Sequence, residues 1–313
     1  IKEEDMVVMI SRLGYIKRVS VEKYKKQDRG GKGSNSAALL EDDYINQLFI
    51  GSTKDYLLFI TNVGKAYWIK VHEIPESERT SRGAHIKSLL AVGPDEEITA
   101  VVSLKEFAED QYLFMTTANG VVKKVHTTEF SNAKTRGIIG LKLDTGDKLI
   151  SAIQTTGSTE VMLISRRGKA LKIKEDSVRS MGRASRGIKG MKLAEGDEIA
   201  AAVKVEEGTG LILVTEKGHG KRISSDLFST HGRGTGGQRI FGNIDGKGEI
   251  IGAVSICDSD EIVCMTSQGK TLRIKATEIK QQGAGASGIT IVKVSEPDYL
   301  VGIDKVQEKR DNE

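Results

Sequence analysis

Residues 161–173 read Val-Met-Leu-Ile-Ser-Arg-Arg-Gly-Lys-Ala-Leu-Lys-Ile. An apolar run ends in a hydroxyl residue, Ser165, and a glycine, Gly168, follows three positions later. A second run places a β-branched residue, Ile173, five positions after that glycine. Short apolar runs bounded by turn residues are typical of β-strands, so this stretch predicts two strands joined by a tight glycine turn.

The same pattern recurs along the whole chain of 313 residues. The anchor glycines are Gly14, Gly64, Gly120, Gly168, Gly218 and Gly269. Each anchor has Ser or Thr three positions before it and Val or Ile five positions after it. Successive anchors are 50, 56, 48, 50 and 51 residues apart. A self-similar period of this length indicates a repeat architecture.

A second glycine follows each anchor after 17 or 19 residues, and a third apolar run, an acidic turn and a fourth apolar run come next. The second glycines are Gly33, Gly83, Gly137, Gly187, Gly237 and Gly288. Each repeat is therefore predicted to contain four short strands. Six such units predict an all-β, propeller-like ring, since stacking around an axis buries the sheet faces that one unit leaves exposed. We expect the ring to span residues 1–306, with residues 307–313 as a charged tail.

Composition limits the class of protein. The 35 glycines and only 3 prolines favour tight turns over disordered linkers, and the net charge is +4. Cys257 and Cys264 lack metal-type spacing, which is typical of reduced thiols. No apolar run reaches the roughly 18 residues of a membrane span, and no signal peptide is visible. Because the chain begins without Met, we expect it to be the C-terminal part of a longer protein.

The second strand of each repeat carries a periodic charge pattern. Four positions after the anchors lie Arg18, Trp68, Lys124, Lys172, Arg222 and Arg273. Six positions after the anchors lie Ser20, Lys70, His126, Lys174, Ser224 and Lys275. Both sets share one strand face, opposite the Val or Ile between them. Acids instead cluster in turns before the fourth strand, such as Asp144 and Asp147. We interpret the cations as a belt around the ring, which is typical of phosphate binding, although a solvated outer face is the simpler alternative.

The sequence contains no convincing motif for catalysis or cofactor binding. Residues 283–288 match GxGxxG, but a strand-like run follows where a dinucleotide site needs a helix. The five histidines are scattered without metal-ligand spacing, and no nucleophile elbow or triad is evident. We therefore predict no catalytic residue, no metal site and no cofactor in this chain.

One motif lies inside the first repeat and occurs nowhere else in the chain. Its residues are Gln27, Asp28, Arg29, Gly30, Gly31, Lys32 and Gly33. Because it has this box, the six repeats and the periodic cations, the chain resembles the C-terminal domain of the DNA gyrase A protein, which is part of a bacterial type II topoisomerase. The hallmark of that family has the form Gln-basic-Arg-Gly-Gly-basic-Gly, from which only Asp28 departs. Degenerate versions end in Arg82-Gly83, Arg136-Gly137 and Arg186-Gly187.

The resemblance implies a six-bladed β-pinwheel in which neighbouring blades exchange strands. It implies that double-stranded DNA wraps chirally round a basic rim, without sequence specificity, and so enables negative supercoiling. We predict the rim residues to be Arg18, Lys70, Arg82, Lys124, Arg136, Lys172, Lys174, Arg186, Arg222, Arg233, Arg273 and Lys275. Cleavage and ATP hydrolysis would lie in the rest of gyrase A and in gyrase B of an A2B2 enzyme, leaving this chain non-catalytic. The chain alone is expected to be monomeric, cytoplasmic and nucleoid-associated.

Two alternatives stay open. The equivalent domain of the topoisomerase IV A protein usually lacks an intact box, so residues 27–33 favour gyrase. A propeller-type protein-interaction platform would show apolar or aromatic patches, whereas aromatics make up 5% of this chain. Trp68, the exception among the cations, is interpreted as a partly buried rim residue, with base stacking or a partner contact as the alternative.

Overall fold

A computed structural model describes residues 1–11, 13–23, 43, 45–78, 81–268 and 270–306. The anchor Gly269 and residues 307–313, predicted as a tail, lie outside the described residues. No helix in these described ranges has the length and apolar character needed to cross a membrane.

Each repeat opens with an antiparallel hairpin around its anchor glycine and closes with a longer strand, here called the inner strand. The hairpins are Asp5–Ser11 with Tyr15–Ser20 (β1, β2), Tyr56–Thr61 with Lys65–Lys70 (β4, β5), Tyr112–Thr117 with Val121–His126 (β8, β9), Glu160–Ser165 with Lys169–Lys174 (β12, β13), Gly210–Thr215 with His219–Ser224 (β16, β17) and Glu261–Thr266 with Thr271–Lys275 (β20, β21). The inner strands are Ile45–Ser52 (β3), Ile98–Leu104 (β7), Leu149–Thr155 (β11), Ile199–Val205 (β15), Ile250–Ile256 (β19) and Leu300–Val306 (β23).

Between the hairpin and the inner strand, repeats 2 to 6 carry a two-residue strand, here called the exchanged strand. These are Ala84–His85 (β6), Ile138–Ile139 (β10), Ile188–Lys189 (β14), Gln238–Arg239 (β18) and Ile289–Thr290 (β22). A short 3-10 turn follows the hairpin in the same five repeats. These turns are Val71–Glu73, Thr127–Phe130, Glu175–Ser177, Ser225–Leu227 and Ala276–Glu278, and further 3-10 turns are Ile86–Ser88 and Ile244–Gly246.

Each exchanged strand belongs to the sheet of the preceding repeat. The sheet orders are β3-β1-β2-β6, β10-β5-β4-β7, β11-β8-β9-β14, β15-β12-β13-β18 and β19-β16-β17-β22, and the sixth sheet has the described strands β21-β20-β23. The predicted all-β ring of six units is confirmed, and so is the strand exchange implied by the resemblance. The unit of sequence, however, differs from the unit of structure by one strand.

The inner strands face the axis of the ring. β7 contacts β11, β11 contacts β15, β15 contacts β19, and β19 contacts β23. β23 in turn contacts β3, so the last repeat meets the first. A cavity of about 620 Å³ on the axis is lined by residues from all six inner strands. The exchanged strand lies at the opposite edge of each sheet, which makes it the outermost strand of the ring.

The hydrophobic core lies between neighbouring sheets. Along β12, Met162 and Ile164 pack towards the fifth sheet, whereas Val161 and Leu163 pack towards the third. All four side chains are fully buried. Because successive side chains of a strand point to opposite faces, a strand buried on both faces is a continuous apolar run. This explains why the first run of each repeat does not alternate with polar residues.

The anchor glycine is required by close approach of the next repeat as well as by its turn. Gly120 has a φ of +87°, which glycine adopts at no steric cost. Its carbonyl accepts hydrogen bonds from the amides of Gly190 and Met191, at 2.8 and 3.1 Å. A Cβ at Gly120 would lie 2.6 Å from the carbonyl oxygen of Met191. The glycine therefore lets the exchanged segment of the next repeat dock on the hairpin.

Candidate nucleic-acid interface

The perimeter of the ring is formed by the exchanged strands and by the glycine-rich loops that lead into them. Among the exposed cations there, those that we call the rim cations are Arg82, Lys134, Arg136, Arg186, Lys189, Arg233 and Arg239. Residues 131–143, 179–193 and 229–243 contain these loops and hold no Asp or Glu. The perimeter of repeats 3 to 5 therefore carries an excess of positive charge, and the acid in contact with a rim cation is Asp144, whose Oδ1 lies 3.2 Å from Nη1 of Arg186 at the neighbouring sheet end.

Acids lie at the two ends of the sheets instead. The exposed acids just before the inner strands are Asp95, Glu97, Asp144, Glu195, Asp245 and Glu296. The exposed acids just after the inner strands are Glu106, Glu109, Asp110, Glu206, Glu207 and Asp258. Each inner strand begins at the end of the sheet that carries the hairpin turn and finishes at the other end, as the pairing of β4 with β7 shows. The rim is thus a basic band between two acidic ends.

The residues four positions after the anchors do not form an exposed belt. In each of the five described hairpins that precede another repeat, this side chain donates to a carbonyl in or just after the 3-10 turn of the next repeat. The bonds are Arg18 Nε to Ile74 O (2.6 Å), Trp68 Nε1 to Phe130 O (3.1 Å), Lys124 Nζ to Glu175 O (3.4 Å), Lys172 Nζ to Phe228 O (3.2 Å) and Arg222 Nη1 to Ala276 O (3.0 Å).

The predicted exposure is therefore wrong for Lys124 and Arg222, which are 6% and 8% exposed. Arg18, Trp68 and Lys172 are partly buried. The physical reason is the strand exchange, because it brings the 3-10 turn of the next repeat over this face of the second strand. These residues recur at a fixed offset because each one bonds the 3-10 turn of the next repeat. Trp68 fits the same rule through its indole N–H, which supports its interpretation as a partly buried residue.

The other predicted rim residues fall into two groups. Arg82, Arg136, Arg186 and Arg233 lie exposed on the perimeter, as described above. Lys174, Arg273 and Lys275 are exposed near the ends of their second strands, and Lys70 is partly buried with its ammonium 4.8 Å from the ring centre of Tyr56. The box at residues 27–33 lies outside the described residues. DNA contact by the exposed members stays a prediction.

Some rim residues were missed from the sequence. Lys189 and Arg239 lie two positions after the second glycine, and Arg183 lies four positions before it, at the same offset as the predicted Arg233. Arg183 donates to Ile139 O at 3.2 Å, and Arg233 donates to Lys189 O at 3.1 Å. Each of these two guanidinium groups therefore binds the exchanged strand of the preceding repeat. The sequence did contain a signal for Arg183, because Arg29 of the box also lies four positions before its second glycine.

Removing the charge of Lys124 should destabilise the ring. Its ammonium lies 3.9 Å from Oε1 of Glu175, whose side chain is fully buried. Because one partner of a buried ion pair would remain, we expect Lys124→Met to cost about 3 kcal/mol of unfolding free energy, measured by urea denaturation. Lys174→Met, on the same type of strand but exposed, is the control and should change stability by less than about 0.5 kcal/mol. Equal effects of the two substitutions would contradict the assignment.

Six sheets around an axial cavity, joined by exchanged strands and bounded by a cationic perimeter, define the class of the molecule as a β-propeller of six repeats.

Comparison with known proteins identifies the family. Residues 5–52, 55–105, 111–156, 159–206, 211–257 and 260–307 each match the DNA gyrase C-terminal domain, beta-propeller, family. The chain therefore belongs to the DNA gyrase C-terminal domain family. It is 61% identical to the DNA gyrase A protein of Treponema pallidum (strain Nichols) over 308 residues, which cover 98% of the chain and 38% of that protein. It is 39% identical to the DNA gyrase A protein of Salmonella typhimurium (strain LT2) over 313 residues, covering 100% of the chain and 36% of that protein.

Solved structures agree with the sequence relatives. The crystal structure of the C-terminal domain of DNA topoisomerase IV superposes with a TM-score of 0.83 at 26% identity, covering 98% of this chain and 94% of that one. The structure of a DNA gyrase A C-terminal domain superposes with a TM-score of 0.79 at 33% identity, covering 96% and 99%. The chain spans little more than a third of the length of the two gyrase A proteins that it matches.

Proposed function

We propose that this chain binds duplex DNA without sequence specificity, bends it around the rim and wraps it chirally, so that DNA gyrase can introduce negative supercoils. The observation that carries the proposal is the band of exposed rim cations between two acidic ends, in a member of the gyrase C-terminal domain family. Acidic ends repel phosphate, so a duplex is favoured along the perimeter.

The energetics of DNA bending support a charge-driven mechanism. The persistence length of DNA is about 150 bp, so bending a short site through a large angle costs on the order of several kcal/mol. Roughly 6–10 phosphate contacts offset this cost through counterion release. Wrapping of this kind needs cations and curvature and does not need base contacts, as in other wrapping proteins.

We assign phosphate contact to the exposed predicted residues. On the perimeter these are Arg82, Arg136, Arg186 and Arg233, together with Lys134, Lys189 and Arg239. Near the ends of the second strands they are Lys174, Lys275 and Arg273, the last with its Nε 2.5 Å from Oε2 of Glu261. Arg18, Lys124, Lys172 and Arg222 instead hold the 3-10 turns of the next repeat. From its sequence, the box adds Arg29 and Lys32 as charges and its glycines as positions where backbone can approach phosphate closely.

The chain works within a larger enzyme in this proposal. The remainder of gyrase A and the gyrase B protein would form an A2B2 holoenzyme that cleaves DNA and hydrolyses ATP, while this chain is non-catalytic. Its location would be the cytoplasm, with the nucleoid.

A second candidate function is that of the topoisomerase IV C-terminal domain, favoured by the TM-score of 0.83. Such a domain would hold DNA without wrapping it chirally. A protein-interaction platform is the third candidate and predicts no DNA binding at low salt.

A plasmid topology assay distinguishes these functions. Nicked circular plasmid is incubated with the chain, sealed by DNA ligase and deproteinised, and its linking number is compared with that of plasmid sealed alone. We expect a shift of one sign that fades steeply between 50 and 200 mM salt, where a protein making 6–10 phosphate contacts loses about 10³–10⁵ in affinity. Binding without a shift would favour the topoisomerase IV function, and no binding at low salt would overturn DNA binding altogether.

A further inference from the structure

Three lysines that the proposed function does not use are buried between repeats. Lys17, Lys123 and Lys221 lie three positions after their anchors, in repeats 1, 3 and 5, and are at most 1% exposed. In repeats 2 and 4 the same position holds Tyr67 and Leu171, which are also buried. Burying a lysine is costly unless its charge is compensated by hydrogen bonds. Each of these ammonium groups therefore needs acceptors.

The acceptors are backbone carbonyls of the glycine-rich loop of the next repeat. Lys123 Nζ donates to Arg183 O at 2.6 Å, to Ser185 O at 2.8 Å and to Gly140 O at 2.9 Å. Two of these three carbonyls belong to the loop of repeat 4, and the third ends the exchanged segment of repeat 3. One side chain therefore ties two neighbouring perimeter segments to the third sheet.

Lys221 repeats this arrangement two sheets further on. Its ammonium donates to Gly283 O at 2.7 Å, Ala284 O at 2.9 Å and Ala286 O at 3.1 Å, all in the loop of repeat 6. Lys17 donates to Ser81 O at 2.6 Å in the loop of repeat 2. An ammonium group has three N–H donors, which matches three carbonyls. The match identifies a dedicated contact rather than a chance burial of charge.

The tethered loops differ in the charge that they present. The loop of repeat 4 carries Arg183 and leads through Arg186 to Lys189, and the last two side chains are exposed. The loop of repeat 6, residues 281–288, contains no Lys or Arg. The same lysine device therefore holds one cationic loop and one neutral loop. This pair allows the positioning of charge to be separated from simple stabilisation.

We propose that Lys123 is a positioning residue for DNA binding, which holds the loop of repeat 4 so that Arg186 and Lys189 face the same phosphate path. The inference rests on the proposed function. Lys221 holds residues 281–288 of repeat 6 in the same way, but these residues include no Lys or Arg, and the exposed Lys280 and Lys293 lie outside the held segment. Losing Lys123 therefore misplaces two phosphate contacts, and losing Lys221 misplaces none.

The test compares Lys123→Met with Lys221→Met in the 313-residue chain. Both variants should lose similar unfolding free energy, since each removes three equivalent hydrogen bonds. For Lys123→Met we expect about tenfold weaker binding to a labelled random-sequence duplex, with the slope of log affinity against log salt shallower by about 2. For Lys221→Met we expect less than about twofold weaker binding and an unchanged slope. Lys123→Arg keeps a permanent charge with at least three donors and should restore affinity.

Equal effects of Lys123→Met and Lys221→Met on affinity, or no effect of Lys123→Met, would overturn the inference. Should Lys123→Met fail to fold, Lys123→Gln keeps two donors and takes its place in the comparison. If the unsubstituted chain does not bind DNA, the proposed function fails instead. Amide hydrogen exchange then tests the tether alone. Residues 181–190 should exchange faster in Lys123→Met. Residues 231–239 are the control and should be unchanged, because the equivalent position of the preceding repeat holds no lysine.

Discussion

Neutralising four rim arginines together should lower the affinity for duplex DNA by about 1,000-fold at physiological salt. The substitutions are Arg82→Gln, Arg136→Gln, Arg186→Gln and Arg233→Gln. Each removes one exposed charge from the perimeter. Because each phosphate contact contributes about 0.9 to the slope of log affinity against log salt, the slope should become shallower by about 3.6. Fluorescence anisotropy with a labelled duplex across a salt series measures both quantities.

The matched control removes the same net charge from the ends of the sheets. Lys54, Lys105, Lys148 and Lys217 are exposed and lie in loops at one end or the other. Changing all four to Gln should lower affinity by less than about tenfold, because only a long-range, screened interaction is lost. Similar losses in the two quadruple variants would mean that DNA responds to net charge and does not follow the rim. Urea denaturation checks that both variants keep their stability within about 1 kcal/mol.

Gly120→Ala should strongly destabilise the ring. Its φ of +87° is strained for any other residue, and the added Cβ would lie 2.6 Å from the backbone oxygen of Met191. Backbone must move to relieve that overlap, so we expect a loss of about 4 kcal/mol in unfolding free energy.

Gly146→Ala separates the cost of a positive φ from the cost of overlap between the added Cβ and the backbone. Gly146 has a φ of +81° in the same repeat, but nothing lies within 4 Å of the position of its Cβ. This substitution should therefore cost only the conformational term, about 1 kcal/mol. Denaturant unfolding of both variants measures the difference. If the two alanines cost the same, the anchor glycine is needed for its turn alone, and docking of the exchanged segment does not depend on it.

The repeat architecture was predictable because its determinants are local. A positive φ at the hairpin turn requires glycine, and a strand buried on both faces requires a continuous apolar run, so both features recur at fixed offsets. The third apolar run predicts a third strand in each repeat, but periodicity does not tell which sheet that strand joins. Ile188 and Lys189 form a strand of two residues, which is too short to show any alternation. The exchange came only with the family resemblance.

The candidate site was less predictable than the fold. The period of a strand tells which side chains share a face, but it does not tell what covers that face. The pattern therefore predicts exposure for Lys124 and Arg222, although the turn of the next repeat covers them. Arg136 and Arg186 are identifiable because they precede the second glycine. Lys123 was missed because a buried lysine looks like a surface lysine in sequence.

The offset between the sequence repeat and the sheet also bears on how such a ring can change its size during evolution. A duplicated segment of about 50 residues, added in register, would donate its exchanged strand backwards and receive one from its successor, so every sheet would stay complete. Deleting one whole repeat in register would likewise leave the sheets on both sides of the deletion complete. A breakpoint between hairpin and exchanged strand would instead give one sheet a strand with the wrong contacts. Whole repeats are therefore the natural unit of gain and loss, although each described four-stranded sheet draws strands from two repeats.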